Sequence, residues 1–271
     1  MENITPPLVL KNLILEEFGI MSTQIAAQLY TLRDFTKTAE DFATSMAKLQ
    51  KIGFEAVQIS AIGPIDYKEV KKITDEYGMK IIVTHTPNDR LFNDLSQVIA
   101  EHKHWGCDYI GLGAMPVDMR KDPQRFIDTY KPIAQEIAKE GLKFVYHNHR
   151  FEFERFDGKT CWEMLVEQTS PEEFGFLLDT YWIQAGGCNP AAFIKQYADR
   201  LDIVHLKDMQ IIDDNQTMAE VGEGNMDWSI IIPACKEAGV KWYAIEQDVC
   251  YRDPFESLEI SFNNVKKMGL K

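Results

Sequence analysis

The stretch from Cys107 to His149 decides the fold. It contains "CDYIGLG" (107–113), "DPQRFIDTYKPIAQEIAKEG" (122–141) and "KFVYHNH" (143–149). The first and third pieces are short, nearly continuous apolar runs, as expected of strands covered on both faces. The middle piece reads as a helix, entered through Asp-Pro and left through Gly141. Strand, helix and strand in this order make a βαβ unit, whose two strands run parallel.

The same alternation extends in both directions. Upstream lie strands "IAAQLYTLR" (25–33), "EAVQIS" (55–60) and "KIIVTHT" (80–86), each followed by a helix that stops on Gly53, Gly78 or Gly106. Downstream lie strands "FGFLLDT" (174–180), "DIVHLKD" (202–208) and "WYAIEQD" (242–248), again each with its helix. Eight strand–helix units in 271 residues predict an α/β protein, a single-domain (β/α)8 TIM barrel over residues 24–271. A doubly wound open sheet is the alternative, but the chain lacks a Gly-rich phosphate fingerprint. Residues 1–23 stand apart as an N-terminal extension, with Met21 a candidate natural start. The two longest loops follow the fifth and seventh strands, so both belong to the C-terminal face, where barrels of this kind carry their active sites.

Composition narrows the function. A net charge of −13 opposes binding to a phosphate backbone, so a nucleic-acid partner is not expected. No run of eighteen apolar residues spans a membrane. The five cysteines are odd in number, scattered and without a CxxC pair, which predicts free thiols in a cytoplasmic protein. A homo-oligomer stays open.

Of the six histidines, His102 and His104 fall late in the third helix and are expected to face solvent. His85, His147, His149 and His205 fall at or just beyond the ends of strands three, five and seven. Carboxylates do the same: Asp179 ends strand six, Glu246 ends strand eight, and Asp208 and Asp248 follow closely. Buried ionisable groups cost several kcal/mol unless they are paired or bind a metal. One such residue alone is most often a hydrogen-bonded structural group. His147, Asp179, His205 and Glu246, however, come from four consecutive strands at equivalent heights. Their side chains can converge on one point, and nitrogen and oxygen donors without thiolate suit a divalent ion such as Mn, Co, Zn, Fe or Mg.

Other residues are candidates for the substrate. His85 reads as a substrate contact or a structural hydrogen bond. Lys207 follows His205 by two residues and so faces the same side. It could hold a substrate oxygen, or form a salt bridge to Asp208 or Glu246. Trp182 and Tyr181 could stack on a sugar face or simply pack. Gln28, Tyr30 and Arg33 could line the pocket floor, and Arg33 could equally be a structural ion-pair residue. "VGEGNMDW" (221–228) predicts a tight loop leading to a helix capped at Asn225 or Asp227.

At "QLYTLR", "YHNHRFEF", "LLDTYWIQAGG", "VHLKDM", "VGEGNMDW" and "YAIEQD" the chain resembles the sugar phosphate isomerase/epimerase group of xylose-isomerase-like barrels. The resemblance implies a divalent metal at the barrel mouth, held by a Glu, an Asp, a His and a second Glu from strands five to eight. Asp179, His205 and Glu246 match that set, whereas His147 stands where relatives carry the first Glu. The fourth ligand is therefore His147, or Glu152 reaching back. The resemblance also implies a keto sugar or sugar derivative as substrate and proton abstraction alpha to a carbonyl, through an enediolate. His149 and Glu152 substitute for the missing base, Glu246 stands among the catalytic groups, and Lys207 stabilises the enediolate. Isomerisation, epimerisation and lyase chemistry all start from that intermediate. An apurinic-type metal-dependent endonuclease and a non-catalytic sugar-binding barrel are the alternatives.

Overall fold

The computed structural model describes residues 24–271, so the expectations for residues 1–23 lie outside the described residues. Its strands are β1 (Ile25–Gln28), β2 (Ala56–Ile59), β3 (Lys80–Thr84), β4 (Tyr109–Leu112), β5 (Lys143–His147), β6 (Phe174–Asp179), β7 (Leu201–Leu206) and β8 (Trp242–Ile245). They form one 8-stranded sheet in sequence order, with β1 hydrogen-bonded to both β2 and β8. Every pairing in it is parallel. Just past the end of β3, the Thr86 amide donates to the Gly111 carbonyl of β4 at 2.7 Å and draws the cylinder shut. Gly111 is required there: a Cβ would lie 2.0 Å from the Thr84 carbonyl oxygen. This is the (β/α)8 TIM barrel that the alternation predicts.

Two layers of apolar side chains hold the barrel. Ala26, Ala56, Val145, Leu177, Ile203, Trp242 and Ala244 fill its interior. Residues between them in sequence, such as Phe144, Tyr146, Phe176, Leu178, Val204 and Tyr243, point outward and pack under the helices. The period of two along a strand then fixes what lies above the interior layer. Two residues beyond Ala26, Ala56, Val145, Leu177, Ile203 and Ala244 stand Gln28, Gln58, His147, Asp179, His205 and Glu246, all buried. The polar ring at the mouth is thus the next storey of the apolar core.

Several elements differ from the sequence reading. β1 ends at Gln28, and Leu29–Phe35 forms a 3-10 helix, because the Gln28 side chain accepts from the Tyr30 amide and turns the chain. An added helix, Asn88–Asn93, precedes Leu95–Trp105. A second one, Thr180–Ala185, starts directly on Asp179, whose carboxylate caps it. The long loop after β7 is a β-hairpin, Asp208–Ile212 with Asn215–Ala219, turning on Asp213 and Asp214 at positive φ. The loop after β5 carries a shorter pairing of Arg155–Phe156 with Lys159–Thr160.

His102 corrects an expectation. It is buried, not solvent-facing, since its helix turns it onto β3. Its Nδ1 donates to the Val98 carbonyl at 2.7 Å, and Nε2 lies 2.9 Å from Thr84 Oγ1. Burial drives its pKa down to about 4. His104 is exposed, as expected. All five cysteines are free thiols. Among the described residues, no helix is long and apolar enough to cross a membrane.

Candidate metal centre

His147, Asp179, His205 and Glu246 meet at the mouth, each offering one atom, with all four atoms within 4.8 Å of one another. His147 Nε2 lies 3.3 Å from Asp179 Oδ2 and 4.0 Å from Glu246 Oε2. His205 Nδ1 lies 2.8 Å from Glu246 Oε2 and 3.8 Å from Asp179 Oδ2.

Each of the four has its other polar atom tied to a fixed partner. His147 Nδ1 donates to the Gly113 carbonyl at 2.9 Å. His205 Nε2 donates to Gln58 Oε1 at 2.7 Å. Asp179 Oδ1 accepts from the Trp182 amide at 3.0 Å, and Glu246 Oε1 from Gln28 Nε2 at 2.6 Å. These outer bonds select the tautomers: a neutral imidazole that donates from one nitrogen carries its lone pair on the other. Both imidazole lone pairs therefore face carboxylate oxygens. His205 Nδ1 is buried without a hydrogen-bond partner and faces Glu246 Oε2, an oxygen that the Lys207 ammonium also approaches to 2.8 Å. Electron pairs aimed at one another in a dry site repel unless a cation lies among them; the Lys207 ammonium supplies one positive charge there, and the two nitrogen and two oxygen donors fit a divalent metal.

The electrostatics are those of a cation site. Burial opposes ionisation of Asp179, but Lys207, His147 and His205 outweigh it and hold the carboxyl well below its usual range. Glu246 is depressed in the same way, chiefly by Lys207 and His205. Burial lowers His147, helped by His205. For His205, burial also acts downward, yet Glu246 and Asp179 raise it overall.

Lys207 enters the same cluster. Its buried ammonium lies 2.8 Å from Glu246 Oε2, 3.0 Å from Asp179 Oδ2 and 3.2 Å from both oxygens of Asp248. Of the two partners expected, only Glu246 is found. Asp208 instead accepts from the amides of Met209, Gly222, Gly224 and Met226 and from Trp228 Nε1. That clasp folds the 221–228 loop over the helix start, where Asp227 is the cap and not Asn225.

A cavity of about 440 Å³ opens above the cluster. His147, Lys207, Glu246 and Asp248 line its inner end, and Tyr30, Ser60, His85, Asn88 and His149 line its walls. His85 Nδ1 lies 3.3 Å from Ser60 Oγ, and its Nε2 is buried without a partner. Among the described residues Arg33 forms no ion pair: it bonds the Tyr30 and Asp248 carbonyls and stacks on the Tyr30 ring at 4.5 Å. The Trp182 ring lies 5.5 Å from the Lys207 ammonium, beside the cluster. It also packs against His149, with ring centroids 5.1 Å apart.

His149 and Glu152 are separated by the strand end. The His149 ring faces the cavity, stacked on Phe151 and edge-on to His147 at 4.8 Å. Burial, then His147 and Lys207, hold its pKa well below the usual value, and its Nδ1 has no partner. Glu152 lies on the outer side of β5. One of its oxygens accepts from Tyr146 Oη and the other from the His149 amide at 2.9 Å. It is not among the four donors that converge, and its carboxylate instead holds the His149 backbone amide. Burial raises its pKa to about 7.

The supporting residues Gln28, Gln58 and Gly113 are the ones sequence reasoning passed over as tethers. Gln28 and Gln58 did leave a signal, since each interrupts an apolar strand one layer above the core. Gly113 acts through its carbonyl and leaves none.

Comparison with known proteins gives the family and the fold. The sequence profile described as "Xylose isomerase-like TIM barrel" matches residues 46–258. An inosose dehydratase of Geobacillus kaustophilus is 25% identical over 190 residues, covering 61% of this chain and 61% of that protein. The chain thus spans less than two thirds of that curated relative. The fold is shared with a sugar phosphate isomerase/epimerase of Parabacteroides distasonis, with a TM-score of 0.75, 23% identity and coverage of 93% and 96% of the two chains. It is shared also with an L-ribulose 3-epimerase, with a TM-score of 0.68, 14% identity and coverage of 90% and 94%.

Proposed function

The chain belongs to the xylose isomerase-like TIM barrel family, and from that premise we propose that it is a divalent-metal-dependent enzyme acting on a keto sugar or sugar derivative. It removes the proton alpha to the carbonyl and passes through an enediolate, as an isomerase, epimerase or related lyase of the cytoplasm. One observation carries the reading: four donor atoms from four consecutive strands, each with its companion atom tied off, converge within 4.8 Å.

His147, Asp179, His205 and Glu246 hold the metal, which when bound supplies Lewis-acid polarisation of the substrate carbonyl. His149 is the base. Its imidazole is neutral at neutral pH and lines the cavity, as a proton acceptor for the substrate must. A base of low pKa gains driving force only as charge develops on the substrate, and the Lys207 ammonium stabilises that charge in a water-poor site. Glu152 acts on His149 through the backbone amide and not as a second base. Tyr30 and His85 bind substrate hydroxyls along the wall, and Trp182 fixes the His149 ring.

A specific residue favours elimination over two-base epimerisation among the outcomes. His147 stands where the resemblance expects a carboxylate, so one face of the substrate lacks a Glu to exchange protons. Expulsion of a beta oxygen after a single abstraction needs no second carboxylate, and inosose dehydratases stand among the relatives.

The test is a panel of keto sugars, inososes and 3-keto-glycosides incubated with metal-loaded protein in heavy water. Deuterium at the alpha carbon, or release of a beta leaving group, is expected with at least one member. Protein that binds metal stoichiometrically yet neither exchanges an alpha proton nor releases a beta leaving group across the panel refutes the catalytic reading and leaves a binding barrel.

A further inference from the structure

Lys207 competes for the two oxygens that the metal needs. Its ammonium, 1% exposed, contacts Asp179 Oδ2 and Glu246 Oε2, which are the carboxylate oxygens turned toward the shared donor point. It also reaches both oxygens of Asp248, which stands at the cavity side and is not one of the four donors. With the imidazoles neutral, as metal ligation requires, the three carboxylates and one ammonium leave two net negative charges, which is what one divalent ion neutralises. Two cations cannot share the same pair of oxygens without strong mutual repulsion in a dry site.

We infer that Lys207 is a displaceable internal cation: it neutralises Asp179 and Glu246 before metal binds, and metal entry moves its ammonium onto Asp248. The inference rests on the metal-dependent reading above and adds a device that sets metal affinity. It also explains why a carboxylate outside the donor set sits beside the ammonium. Once shifted to Asp248, the ammonium faces the cavity, where a substrate oxygen can take up its remaining hydrogens.

The experiment is calorimetric titration of Mn²⁺ into chelator-treated protein: wild type, Lys207→Met, Asp248→Asn and the double variant. Thermal melting of each with and without Mn²⁺ confirms that it is folded. Lys207→Met is expected to bind Mn²⁺ about tenfold tighter or more, because the competing charge is gone. Asp248→Asn in the presence of Lys207 is expected to bind about tenfold weaker, because the displaced ammonium has no partner. In the Lys207→Met background, Asp248→Asn should change affinity little, which is non-additivity that mere loss of a nearby charge would not give. Unchanged or weaker binding by folded Lys207→Met overturns the inference. So does an equal Asp248→Asn effect in both backgrounds, and, should Lys207→Met not fold, unweakened binding by Asp248→Asn. Wild type that binds no Mn²⁺ overturns the proposed function as well.

Discussion

Gln58→Leu isolates the role of an outer tether. In the native protein Gln58 Oε1 accepts the His205 Nε2 proton at 2.7 Å, with both side chains fully buried. This bond forces the lone pair onto Nδ1, the atom that faces Asp179 and Glu246. Leucine is close in size but accepts nothing. The imidazole N–H would then be buried without a partner, at about 1–3 kcal/mol, or the proton would move to Nδ1 and block the donor position. Either route weakens the metal, and loss of such a second-sphere bond typically lowers affinity about 10–100-fold. The assay is Co²⁺ titration followed by visible absorption, which reports both affinity and coordination, with thermal melting as the check on fold. Gln58→Glu is the companion variant, because a carboxylate still accepts from Nε2 and should largely restore affinity. Unaltered Co²⁺ affinity and spectrum in a folded Gln58→Leu protein would refute the tether argument.

Three further outcomes are expected. His149→Ala should retain the metal but abolish alpha-proton exchange into heavy water; full exchange would remove His149 as the base. Glu152→Gln should alter the pH profile of stability. Burial raises the Glu152 pKa from 4.5 to about 7, so the native state favours the protonated form, and its contribution is complete below 4.5 and lost as pH rises through 7. Wild type should therefore lose about 3 kcal/mol relative to Glu152→Gln between pH 4.5 and 8, and parallel denaturation curves over that range would contradict the assignment. Asp208→Ala should strip the acceptor from Gly222, Gly224, Met226 and Trp228 and loosen the 221–228 loop, seen as faster amide hydrogen exchange there. Unchanged exchange would show that the loop holds without the clasp.

The barrel was legible because its signals are local. Short apolar runs alternate with capped helices, and nothing else is needed to count the staves. The donor set was legible for a related reason: His147, Asp179, His205 and Glu246 each break an apolar run two residues past an interior core position, so period and polarity together mark the height. The details that escaped are long-range. That Glu152 turns outward depends on Tyr146, whose hydroxyl waits under the helix layer. That His102 is buried depends on Thr84, 18 residues earlier in the chain. Asp208 was a plausible partner for Lys207 by sequence adjacency, yet the 221–228 loop closes on it and claims its oxygens. Trp182 follows Asp179 closely, and the helix that Asp179 caps carries the indole against the His149 ring, a contact that sequence spacing does not show.

The central claim is that one divalent ion sits among four side chains from β5 to β8. Metal content of the purified, Mn²⁺-loaded and dialysed protein tests it most directly, measured by elemental analysis beside Asp179→Ala and His205→Ala. The account predicts close to one ion per wild-type chain and almost none in either variant, with all three still folded by circular dichroism. Retention of the ion in both variants, or its absence from wild type, would contradict it.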